Sequence, residues 1–125
     1  MIKFLLIGHI VSLLLTILIE IPVAVLWGIR DRRELLIIAL VQVITNPVAV
    51  LISNCFYRYT DLNLYVFQIP IEIAVPVAEW LLYKSAIPTF KHPFLLSFTA
   101  NPMSYGTGLI LSSTNFWHYI YSLAS

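Results

Sequence analysis

Four long apolar runs, separated by short polar segments, make up nearly the whole chain. They cover about residues 4–29, 35–57, 64–83 and 94–117. A helix needs roughly 20 apolar residues to cross a hydrocarbon core, so each run predicts a membrane-spanning helix. The segments between them, 28–34, 58–63 and 84–93, hold most of the charged residues and read as turns. The expected fold class is all-α: a polytopic membrane protein with four transmembrane helices, built as a single membrane domain over residues 1–125. The first run exceeds the apolar core of a secretory signal, roughly 7 to 15 residues, and no small-x-small cleavage site precedes the arginines. It is therefore expected to stay as a span.

The polar positions inside the runs carry the information. Ser12, Thr16 and Glu20 recur every four residues and share one helical face, with His9 beside them. A charged group at the centre of a span costs about 2.5 to 3.5 kcal/mol by insertion scales. Glu20 must therefore be protonated, paired or turned away from lipid. Run two holds Gln42 and Thr45-Asn46-Pro47 near its midpoint. Run three holds Gln68, Pro70, Glu72, Pro76 and Glu79. Glu72 and Glu79 lie seven apart, on one face, and Glu79 is near enough to Lys84 to reach the interface. Trp80 and Tyr83 suit that interface. Run four holds Ser97, Thr99, Asn101-Pro102, Ser104, Tyr105 and Thr107, and closes on the aromatic group 116–119, which suits a membrane surface. Ser104, Gly106 and Gly108 form a small-residue face that lets another helix approach.

Prolines punctuate every run. Pro22, Pro47, Pro76 and Pro102 each deny a helical donor to the carbonyl four residues back, on Leu18, Val43, Glu72 and Phe98. Pro70 and Pro76 together predict a bent or broken third helix.

Composition sharpens the class. Of 125 residues, 60% are hydrophobic and 10% charged, and the mean hydropathy is +0.91. Soluble domains carry about 25% charged residues, so a water-soluble fold is excluded. The net charge of +1 gives no general attraction to nucleic acid. The single cysteine, Cys55, reads as a small apolar residue near a helix end. Arg30, Arg32, Arg33, Lys84 and Lys91 lie in the first and third loops, against Lys3 and Arg58 on the other side. The positive-inside rule then places both termini outside a bacterial or archaeal cell membrane.

The two halves resemble each other. Residues 19–30 (IEIPVAVLWGIR) and 71–84 (IEIAVPVAEWLLYK) share Ile-Glu-Ile, a proline, a Val-Ala pair and a tryptophan before a basic loop. Each is followed by a run carrying Asn-Pro. Two parallel helical-hairpin repeats follow if the likeness is structural. At 1.5 Å per residue, Glu20, Asn46, Glu72 and Asn101 then all lie roughly 15 to 18 Å from the basic loops, near the bilayer midplane. Carboxylates, amides and proline-freed carbonyls are oxygen ligands suited to hard cations. A carboxylate pair there could also trade a proton for a cation. The candidate ion- or substrate-binding set is Glu20, Asn46, Glu72, Asn101 and Glu79, with Pro22, Pro47, Pro76 and Pro102 as helix breaks. No His/Cys cluster has transition-metal spacing, no nucleophile is paired with a base, and no cofactor is expected.

A four-span chain of this length with Glu20 in its first span superficially resembles the small multidrug resistance transporters. That resemblance implies a first-helix glutamate shared by drug and protons across an antiparallel dimer, a role only Glu20 carries over. The extra intramembrane glutamates, the Asn-Pro pairs and the charge bias of the loops depart from that family. The intramembrane glutamate, the short basic loop and Thr45-Asn46-Pro47 also resemble small uncharacterised four-span bacterial membrane proteins, which brings no function with it.

Two readings follow, neither of them enzymatic. The first is binding or transport of a cation or small solute, optionally proton-coupled, in a homo-oligomer, since four helices barely enclose a path. The second is an accessory subunit whose buried polar groups specify assembly with other membrane subunits. An intramembrane enzyme using an acidic pair to activate water is a third, more distant option.

Overall fold

A computed structural model of the chain describes residues 2–123 and 125. It is all-helical: α1 (Ile2–Leu26), α2 (Arg32–Tyr59), α3 (Leu64–Ala86), α4 (Pro93–Ser112) and α5 (Phe116–Leu123). Three of these are long and apolar enough to cross a membrane, over Lys3–Leu26, Arg32–Tyr59 and Tyr65–Ala86. α4 has 20 residues, enough for about 30 Å, but Ser97, Thr99, Asn101, Ser104 and Thr107 make it the more polar partner. The four long helices run alternately up and down and close a ring, each packing on its two neighbours.

Local chemistry sets the turns. Gly28 takes a positive φ of 102° just past α1, and Ile29 N–H returns to the Ala24 carbonyl at 3.0 Å, a glycine-terminated helix end. Asp31 caps α2 by accepting from Arg33 N–H, and Asn63 caps α3 by accepting from Tyr65 N–H, each at 3.2 Å. Pro93 opens α4 at a position where its missing N–H costs nothing. Trp27 Nε1–H donates to Thr99 Oγ1 at 3.0 Å and ties the first turn to α4.

Burial is inverted relative to a soluble bundle. Leu18 is 67% exposed and Ile44 60%, while Glu20 and Glu79 are 0% exposed and Gln42 1%. Many apolar side chains face outward and these polar ones inward, an arrangement that suits a hydrocarbon solvent. The apolar core, including Val23, Ala24, Ile29, Ile38, Ile87 and Leu96, fills only the end nearest the 28–31 and 87–92 turns. Serine and threonine hydroxyls elsewhere satisfy themselves on carbonyls of their own helix, as Thr16 does on Ser12 and Thr107 on Met103.

Three details differ from the sequence expectation. The fourth long helix stops at Ser112, and the aromatic segment forms the separate short helix α5, because Ser113, Thr114 and Asn115 make a turn. α3 is continuous through Pro70 and Pro76, and α1, α2 and α4 through Pro22, Pro47 and Pro102. Neighbouring hydrogen bonds carry a helix past one missing donor. Tyr83 is fully buried rather than at the interface.

Candidate functional site

The polar interior has two layers. The deeper one adjoins the apolar core and is built from two interlocked triads. In the first, Gln42 Nε2 donates to Glu20 Oε2 at 2.5 Å and to Tyr83 Oη at 3.0 Å, while Tyr83 O–H donates to Glu20 Oε2 at 3.1 Å. In the second, Asn101 Nδ2 donates to Glu79 Oε2 and to the Ser97 carbonyl, the latter at 2.9 Å. Thr45 Oγ1 lies 2.8 Å from Glu79 Oε1 and 3.0 Å from the Val41 carbonyl, so its one proton serves either.

Helical spacing interlocks them. Gln42 and Thr45 are one turn apart on α2, and Glu79 and Tyr83 one turn apart on α3. Each of these two helices therefore feeds both triads, while α1 contributes Glu20 and α4 contributes Asn101. Both glutamate–amide pairs are separated by 22 residues in the chain. Buried polar groups are costly when left unpaired, and these bonds pair them while tying all four helices together.

The second layer is a cavity of about 310 Å³ on the other side of these triads, with walls from all four long helices. Glu72, Gln68, Ser12, Asn46, Ser104 and Tyr105 are among its lining. Thr16, Gln42 and Asn101 also line it, so the two amides stand between the cavity and the carboxylates behind them. Glu72 is half-buried and accepts from Gln68 Nε2 at 2.7 Å, one turn back on α3. Asn46 Nδ2 donates to Thr16 Oγ1 at 3.0 Å.

The sequence-derived candidates thus divide. Glu20, Glu79 and Asn101 are in the carboxylate layer, and Asn46 and Glu72 in the cavity. Glu20 takes Gln42 as its amide partner, not Asn46, and Asn101 takes Glu79, not Glu72. Glu79 does not reach the interface. Pro22 and Pro102 are exposed on the outer face, Pro47 is half-buried and Pro76 buried, so the first two free their carbonyls away from the site. His9 lies in an outward groove with Leu5, Leu6 and Pro47, its Nδ1 2.6 Å from the Leu5 carbonyl. Gln42, Thr45 and Tyr83 are the site residues that sequence reasoning left out. Their i+3 and i+4 spacing to one another and to Glu79 was the available signal.

Among the described residues, no group of three or more His, Cys, Asp or Glu side chains is placed to hold a metal ion. Comparison with models of known protein families, with curated proteins and with solved structures gives no match to this chain.

Proposed function

We propose that the chain is a four-span membrane protein with both termini outside, and that its interior cavity binds and passes a small cationic solute, exchanging it against a proton carried by the carboxylate layer. One observation carries this reading. An otherwise apolar molecule keeps a cavity of about 310 Å³ lined by a half-buried carboxylate and by hydrogen-bonding side chains of all four helices. Such groups are expensive in a bilayer and mark solute or proton pathways by default. The volume suits a small solute, and Glu72 supplies the counter-charge.

The basic turns support an orientation in which the apolar core faces the cytoplasm and the cavity the outside. The shared 22-residue spacing supports reading α1–α2 and α3–α4 as related hairpins, with Glu20 matched to Glu79 and Gln42 to Asn101. A homo-oligomer fits an open face of α4 at Gly106, where an added Cβ meets no atom within 4 Å. The same open face would serve a different membrane subunit, which is the accessory-subunit reading.

The test is reconstitution into liposomes with an entrapped pH dye. Addition of methylammonium or alkali chlorides outside should move protons through wild type, and Glu72→Gln should reduce the flux at least tenfold. Flux no greater than in protein-free liposomes, with the chain isolated only alongside other subunits, would replace this reading with the accessory one.

A further inference from the structure

Among the described residues, two buried side-chain polar atoms have no hydrogen-bond partner: Glu20 Oε1 and Asn46 Oδ1. They belong to adjacent residue pairs between α1 and α2. Thr16 and Glu20 are four residues apart on α1, and Gln42 and Asn46 four apart on α2. The Gln42–Glu20 bond at 2.5 Å and the Asn46–Thr16 bond at 3.0 Å are therefore successive rungs of one interhelical ladder, about 6 Å apart along the helices. One orphan oxygen belongs to each rung.

Asn46 Oδ1 is an acceptor, and so is Glu20 Oε1 whenever its carboxyl is ionised. Gln42 has committed both amide protons, to Glu20 and Tyr83, and the Thr16 hydroxyl has committed its proton to the Ser12 carbonyl. The ladder thus has spare lone pairs on a carboxylate, a side-chain amide and a hydroxyl, and no spare proton among these donors. An unsatisfied buried acceptor costs about 1 to 3 kcal/mol, and more when charged. Two on adjacent rungs call for one electropositive ligand common to both.

We propose that the ladder between α1 and α2 binds an alkali-metal cation, with Glu20 Oε1 and Asn46 Oδ1 as its principal ligands and Thr16 Oγ1 within the same set. This rests on the reading of the interior as a solute pathway and names an ion for it. Hard cations take carboxylate, amide and hydroxyl oxygens. A single carboxylate matches a single positive charge, since Glu79 is engaged at both oxygens by Thr45 and Asn101. A divalent ion, which needs more negative ligands, is disfavoured by the lack of an acidic cluster among the described residues. The cavity reaches Thr16, Gln42 and Asn46, and Glu20 lies directly behind the Gln42 amide.

The experiment is titration of the purified full chain in nanodiscs with LiCl, NaCl or KCl, at ionic strength held constant with choline chloride. Heat of binding and thermal midpoint are both read. One alkali ion is expected to bind saturably and raise the midpoint, with affinity lowered at least tenfold in Glu20→Gln and in Asn46→Ala and unchanged in Tyr57→Phe, at an exposed position away from the cavity. If Glu20→Gln fails to fold, Asn46→Ala alone carries the comparison. Equal response to all four salts means that water alone meets the two oxygens and overturns the proposal. So does saturable binding that survives Asn46→Ala. Methylammonium-driven flux through wild type without saturable alkali-ion binding overturns this proposal and keeps the proposed function, and saturable binding without flux does the reverse.

Discussion

Asn101 on α4 and Glu79 on α3 are hydrogen-bonded in the bundle interior, 22 residues apart. Gln42 and Glu20 repeat that arrangement on α2 and α1 at the same separation. Each carboxylate is thus met by an amide from the helix that follows it in the chain, and the two pairs are joined through Tyr83 and Thr45.

Removing the amide from one pair leaves a buried carboxylate short of its donor. Asn101→Ala is expected to destabilise the bundle by about 1 to 3 kcal/mol. Unfolding in mixed micelles measures it. Glu79→Gln combined with Asn101→Ala should then cost less than the sum of the single changes, with a coupling of about 0.5 to 3 kcal/mol. Simple additivity would mean that the contact carries no energy.

Tyr83→Phe keeps the ring in the apolar core and deletes the hydroxyl that bridges Gln42 and Glu20. A loss of about 1 to 3 kcal/mol is expected. If Tyr83 instead lay at the interface, as its position near Lys84 suggests from sequence, the substitution would be neutral to within about 0.5 kcal/mol.

Gly28 holds a φ of 102° at the end of α1 with open space around it. Gly28→Ala meets no atom but must adopt a conformation that L-residues avoid, at about 1 to 2 kcal/mol. Thermal unfolding of the variant against wild type reads this directly, and an unchanged midpoint would show that the turn relaxes.

α5 packs on the start of α1, with Phe4 and Tyr121 edge to face at 5.6 Å. A Cβ at Gly8 would lie 2.9 Å from the Tyr121 hydroxyl. Gly8→Ala requires only that hydroxyl to shift, whereas Gly8→Leu should displace α5. In a Trp27→Phe, Trp80→Phe background, fluorescence of Trp117 should become more accessible to an aqueous quencher in the leucine variant and barely change in the alanine one.

Much of this architecture is legible in the sequence because long apolar runs between short polar segments leave few alternatives to helices. Run length foretells α1, α2 and α3, and Gly28, Asp31 and Asn63 mark the turns. Depth is legible only coarsely. Counting from the basic loops puts Glu20, Asn46, Glu72 and Asn101 on one level, whereas Glu20 and Asn101 lie in the carboxylate layer and Asn46 and Glu72 at the cavity. Glu72 and Glu79 share one face of α3, so which of them joins the layer of Glu20 depends on how far α3 is shifted along its axis against α2 and α4, and a single run does not encode that. Tyr83 is misjudged for a related reason. A tyrosine near a basic loop ordinarily anchors at the surface, but here its hydroxyl has a buried carboxylate to serve. The prolines mislead because each signals one lost hydrogen bond, while continuity depends on all the others.

The interlocked carboxylate layer also constrains how the molecule is made. Glu20 is synthesised 22 residues before Gln42 and 63 before Tyr83. An α1 made without its neighbours therefore carries its glutamate with neither donor. The α1–α2 hairpin is the smallest piece in which that side chain has a partner. Glu79, by contrast, emerges when Thr45 is already in place and waits only for Asn101. The same two triads that hold the finished bundle thus set an order of arrival, with the first hairpin committed before the second has a site to dock on.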